Sequence, residues 1–183
     1  MIKYRAHLRP ILLAATLLFA ASALAASADK LNRETDKALQ VFQEEISGAD
    51  VFLSQAAGYL VFPRVIKFGI GVGAETGEGV LRVGGSTVGY YRTTSGSVGF
   101  QLGAQSKSIV IAFLTRESLD KFRKSNGWKV GVDGSVALVD VGVGKTIDTD
   151  NVRDPVVGFI FGSKGLMYNL TLEGSKFTKL DKS

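Results

Sequence analysis

Residues 61–114 read VFPRVIKFGIGVGAETGEGVLRVGGSTVGYYRTTSGSVGFQLGAQSKSIVIAFL, with glycine both in the turns and inside the apolar runs. This pattern limits the fold more than any other in the chain. The apolar period is two, which makes strands, and a glycine inside a strand weakens it unless the backbone must bend or approach something closely. Segments 59–62, 68–74, 80–83 and 87–93 read as strands, and Gly84-Gly85 is a hairpin turn between the last two. Residues 98–102 and 108–114 make a further pair. Gly69, Gly71 and Gly73 share one strand face, and Gly99 with Gly103 and Gly158 with Gly162 can repeat the device. Such tracks admit a helix, a neighbouring sheet or an apolar chain close to the backbone.

Downstream, Thr115 is placed to cap a short helix over 117–124, closed by Asn126-Gly127. Strands are expected over 128–132, 136–143, 156–161 and 166–172. Upstream, Leu31, Ala38, Leu39, Phe42 and Ile46 fall on one side of a helix spanning 28–46. Ser47-Gly48 ends that helix, and Asp50 is placed to cap a second one running to Gln55. The expected architecture is α+β: a strongly curved or barrel-like antiparallel sheet with flanking N-terminal helices and one short internal helix.

The first 25 residues are of another kind. Lys3, Arg5 and Arg9 precede an apolar run over 11–24 and the small-residue tripeptide Ala23-Leu24-Ala25. This is the pattern of a secretory signal peptide, and the run is shorter than the ~20 residues of a spanning helix. The expected division is a signal peptide over 1–25 and a single domain over 26–183, helical at 28–57 and sheet-rich at 58–180. Cleavage would remove His7, the only histidine, and three cations, lowering the formal charge from +5 to +2. With no cysteine in the chain, residues 26–183 hold neither a Ser-His nor a Cys-His pair, and the usual zinc ligands are missing. No catalytic residue, cofactor or metal is expected.

Weaker motifs fail on their spacing. Gly142-Val143-Gly144-Lys145-Thr146 resembles the end of a phosphate loop, but Val139 stands where the motif needs glycine, so no nucleotide is expected. Asp148, Asp150 and Asp154 lack the spacing of a helix-loop-helix calcium site, although a weak calcium site there stays open. Glu75 and Glu78 are the conceivable carboxylate pair. The remaining signal is a mixture of cations and rings: Arg64, Lys67, Arg82, Arg92 and Lys107 lie near strand ends beside Phe62, Phe68, Tyr90 and Tyr91. That mixture suits a membrane interface, where rings sit at headgroup depth and cations meet phosphate. Single-stranded nucleic acid uses a similar mixture; export and the low net charge of 26–183 argue against it. The N-terminal helix adds a stripe of Lys30, Arg33 and Lys37.

The segments LVFPRVIKFGIGVGAETGEGVLRVGG, TVGYYRTTSGSVGFQLGAQSKSIVIAFLT, GWKVGVDGSVALVDVG and PVVGFIFGSKGLMYNLTLEGSKFTKL strongly resemble the SYLF lipid-binding domain in its exported bacterial form, from about residue 57 to residue 179. The resemblance implies phospholipid binding, with phosphoinositides and, for some members, actin as partners of eukaryotic relatives. It also implies a basic amphipathic N-terminal helix in lipid contact. Here that helix carries Asp29, Glu34, Asp36, Glu44 and Glu45 against three cations, so the weight shifts to the basic and aromatic rim of 61–114. The expectation is a non-catalytic, periplasmic protein, peripheral on a membrane, that binds anionic phospholipid headgroups through Lys30, Arg33, Lys37, Arg64, Lys67, Arg82 and Arg92. The alternatives are a small integral outer-membrane β-barrel and a soluble carrier of a hydrophobic ligand.

Overall fold

A computed structural model describes residues 8–99, 105–139, 154–164 and 171–182. Helix α1 (Leu8–Glu45) and the short α2 (Ala49–Gln55) lead into β1 (Gly58–Val83), β2 (Ser86–Gly99) and β3 (Gln105–Phe113). Then come α3 (Arg116–Lys124), β4 (Trp128–Lys129), β5 (Ala137–Val139), β6 (Val156–Lys164) and β7 (Lys176–Leu180). The described strands form one sheet in the order β4-β7-β2-β1-β3-β6-β5. Every pairing is antiparallel except β5 with β6, which is parallel. The α+β expectation holds, with that one edge as its exception.

The sheet curls because β1 does two jobs. The segments 59–62, 68–74 and 80–83, expected as separate strands, are one strand of 26 residues. Its first part, from Gly58 to Lys67, pairs with β3, and its second, from Gly71 to Val83, pairs with β2. The register with β3 slips between Phe62 and Val65, around Pro63, which has no N–H to give to a ladder. The two parts of β1 then pack against each other. A Cβ at Gly77 would stand 2.5 Å from the Arg64 carbonyl oxygen, and one at Gly79 would stand 2.5 Å from the Phe62 ring. Any side chain at either position would force the halves apart.

The curl makes two cores. Strand alternation sends Leu60, Phe62, Ile109, Ile111 and Phe113 inward, where they meet Leu81, Tyr91, Phe177 and Trp128. Leu119 and Phe122 of α3 seal this interior, Phe122 lying 4.8 Å from the Phe113 ring centroid and 4.9 Å from that of Tyr91. The opposite face of β1, β3 and β6 presents Val61, Val110, Ala112, Val157, Phe159 and Phe161 to Phe42, Ile46, Phe52 and Leu53 of the N-terminal helices. Inside the first core Glu75 of β1 reaches Lys107 of β3 at 2.7 Å, with 11% and 3% of the side chains exposed. This buried ion pair ties the second half of β1 to the strand that pairs with its first half.

Local signals are satisfied in most places. On α1, Ala28, Leu31, Thr35, Ala38 and Phe42 are buried at helical spacing, as is Ile46 just past its end, while Leu39 is half-buried. Gly84 and Gly85 turn the β1–β2 hairpin with φ of 56° and 78°, as a two-residue turn of this hand requires. Thr115 caps α3, its hydroxyl accepting the Ser118 N–H at 3.1 Å. At α2 the expectation changes: Gly48, at φ 82°, is the cap residue, and no side chain caps the helix, so Asp50 lies inside its first turn. Most of the strand expected at 166–172 and the outer ends of those at 98–102 and 136–143 lie outside the described residues, as do Asp148, Asp150 and the 142–146 glycine motif, while residues 171–172 are described and are not strand.

Candidate functional site

Helix α1 lies along the sheet on its apolar face, which leaves its charged stripe beside the Pro63-Arg64 bulge of β1. Polar contacts fix the docking. Asn32 donates to the Tyr90 hydroxyl at 2.9 Å and accepts from Thr87 at 2.8 Å, and Lys182 reaches the Ser27 hydroxyl at 2.9 Å. Two open grooves follow from this placement. The first, about 570 Å³, runs between Lys30 and Glu34 of α1 and Arg64, Thr76, Glu78 and Arg92 of the sheet. The second, about 650 Å³, is bordered by Lys37, Val41 and Glu45 of α1 and by Arg64, Lys107 and Phe161. Arg64 lines both grooves, is exposed, and has no ion-pair partner among the described residues.

The structure therefore gathers four of the seven cations singled out from sequence around one bulge: Lys30, Arg64 and Arg92 in the first groove, Lys37 with Arg64 in the second. Lys30 makes an open 3.8 Å pair with Glu34 one turn on, the kind of exposed pair worth a few tenths of a kcal/mol. Arg33 is exposed and Lys67 half-buried, and neither borders these two grooves. Arg82 is engaged elsewhere: its guanidinium pairs with Asp36 at 2.8 Å and donates to the Gly85 carbonyl at 3.3 Å, with only 14% of the side chain exposed. It clamps α1 to the β1–β2 turn.

Glu78 organises the far wall of the first groove. It accepts from Arg92 at 2.7 Å and from Lys182 at 2.8 Å. Burial alone would push its carboxyl up, but the hydrogen bonds and charges of Lys182 and Arg92 outweigh that and hold it below the usual carboxylate range. Glu75 and Glu78 project from opposite faces of β1, each bound to cations, and so do not form a carboxylate pair. In the first groove three cations face two carboxylates, and in the second Lys37 and Arg64 face Glu34 and Glu45, the charge of the buried Lys107 being met by Glu75. The first groove is thus slightly positive, and Arg64, shared by both grooves, suits a phosphate-bearing group lying across the bulge.

Sequence reasoning missed Lys182, whose part in the Glu78 cluster depends on the chain terminus folding back against α1. It also missed Lys129 and Lys176, which come together across the β4–β7 ladder beside a third open groove of about 610 Å³. The signal available for this pair was the lysine flanking the apolar anchor in each of Trp128-Lys129 and Lys176-Phe177.

No curated protein matches the chain. A family model does: Ysc84, described as a Las17-binding protein actin regulator, matches residues 94–183. The matched part runs from the last residues of β2 through β7 and holds α3 with its Phe122 plug, while α1 and β1 precede it. It takes in the third and fourth of the sequence segments that carry the SYLF resemblance and most of the second, and this part of the chain belongs to the Ysc84, or SYLF, domain family.

Proposed function

We propose that this protein is a non-catalytic phospholipid-binding protein of the bacterial cell envelope that recognises anionic lipid headgroups. The observation that carries the reading is Arg64, an exposed cation with no ion-pair partner among the described residues, at the junction of two open grooves. Lys30, Lys37 and Arg92 stand around it. A cation near an anionic surface contributes ~1 kcal/mol, and salt weakens it over a Debye length of about 8 Å at physiological strength. Four such groups, two already sharing carboxylates, support modest and salt-sensitive binding. Lipid binding is also what the SYLF resemblance implies. The signal-peptide pattern of 1–25 supports export, and the absence of cysteine and of any histidine but His7 supports a role without nucleophilic chemistry.

The two other readings find less support. The described sheet ends in β4 on one side and β5 on the other, and helices cover much of one face, whereas an integral barrel closes its edges and turns that face to lipid. For a carrier, the glycine track needs free space beside it, yet a Cβ at Gly158 would meet Val136 and Leu172 at 2.8 and 2.9 Å.

Sedimentation of the protein with vesicles of phosphatidylglycerol and of phosphatidylcholine tests the proposal. Binding to the acidic vesicles that fades with added salt is expected; no binding to either, or equal binding to both, sinks it. Release from cells by osmotic shock without detergent is expected for a periplasmic protein and contradicts an integral barrel.

A further inference from the structure

The register of the sheet places a second set of cations on the same outer surface. In an antiparallel ladder directly opposed residues share a face, and alternate residues along a strand share it too. Val72, Ala74 and Thr76 of β1 oppose Val98, Gly96 and Thr94 of β2. Thr94 opposes Lys176 of β7, and Lys176 opposes Lys129 of β4. All of these lie on the face that further along β1 carries Glu78 and Arg82, where α1 is clamped.

Two features of this region are unfavourable in water. Lys129 and Lys176 are directly opposed like charges, which destabilises a strand pair, and neither has an ion-pair partner among the described residues. The nearest acid in their groove, Asp133, accepts the Lys129 backbone N–H at 2.7 Å. Val132, which borders their groove, and Val72, further along β1 on the same face, are 72% and 71% exposed, the most exposed large apolar side chains among the described residues, with Phe68 and Val51 next at 50%. Val132 borders the groove with Gly96, whose partner Ala74 is two residues, roughly 7 Å, from Val72.

We propose that the lipid-facing surface extends over this face, with Lys129 and Lys176 meeting the phosphates of an anionic bilayer while Val72 and Val132 enter its interfacial layer. The inference rests on the lipid reading given above. Two observations select a bilayer. Cations next to exposed apolar side chains match both layers of a membrane interface. The face is also continuous with the Arg64 surface: Thr76 lines the first groove, and its ladder partner Thr94 lines the third.

The full chain lacks cysteine, so a Val72→Cys variant takes a single environment-sensitive dye. A blue shift on phosphatidylglycerol vesicles is expected. One near-surface lysine is worth about fivefold in affinity, so Lys129→Ala with Lys176→Ala should weaken binding to these vesicles about 25-fold. The thermal midpoint should not fall, since both side chains are exposed and the substitutions remove a directly opposed like-charge pair. If the wild type binds phosphatidylglycerol but the double variant binds equally well and the dye does not shift, the extension is overturned and this face is left to a protein partner. If the wild type itself does not bind, the underlying lipid reading fails.

Discussion

Replacing Gly79 by alanine tests the curl of the sheet with a single carbon atom. The added Cβ would run into the Val61 carbonyl oxygen and lie 2.5 and 2.9 Å from two atoms of the Phe62 ring. The carbonyl belongs to a strand held by its ladder to β3, where Val61 opposes Val110, so it cannot swing aside. The ring is stacked on Phe177 with centroids 5.4 Å apart, which blocks the other escape. Overpacking a fitted core costs typically 1–3 kcal/mol, and with backbone on one side and a stacked ring on the other the cost should reach the upper end, about 3 kcal/mol. For a domain of this size each kcal/mol moves the thermal midpoint by about 2–4 °C, so a loss of roughly 6–12 °C is expected in a melt followed by circular dichroism. Gly96→Ala is the control. Its Cβ would have nothing within 4 Å, and alanine in a strand interior gains about 0.5–1 kcal/mol over glycine. Equal midpoints for the two variants would refute the claim that Gly77 and Gly79 are there to let the halves of β1 touch.

Glu75→Gln leaves Lys107 charged and buried without a counter-ion, a change that costs about 3–5 kcal/mol. Urea unfolding should show it, with most of the loss recovered in a Glu75→Gln, Lys107→Met double variant; additive losses would mean the pair does not act as a unit. Because the folded-state pKa of Glu78 is depressed, its pairing with Arg92 and Lys182 stabilises the protein above the ordinary 4.5 and is lost as pH falls below it. Melts across that range should therefore fall more steeply for the wild type than for Glu78→Gln, and parallel curves would contradict the assignment.

What the sequence disclosed depended on whether a signal was local. The buried face of α1, the Gly84-Gly85 turn and the Thr115 cap each lie within a few residues of one another, and the structure realises all three. The continuity of β1 was hidden, because Pro63 and the interior glycines read as breaks although the ladder bridges them with a bulge and a close approach. Strand β7 was missed because Phe177 is its only buried residue, too little for a period. For the site, cations could be found but not their partners. Arg82 meets Asp36 across 46 positions and Lys129 meets Lys176 across two strands, relations that exist only once the sheet has formed. The bulge that presents Arg64 between two grooves had one hint, the adjacent Pro63.

The affinity of phosphatidylglycerol vesicles for the wild type and for Arg64→Glu bears most directly on the central claim, that a cation on the β1 bulge with no ion-pair partner among the described residues meets anionic headgroups. Reversal removes one attractive charge and adds a repulsive one, each worth ~1 kcal/mol near the surface, so binding at low salt should weaken about 30-fold. A variant that binds these vesicles as tightly as the wild type would contradict the account.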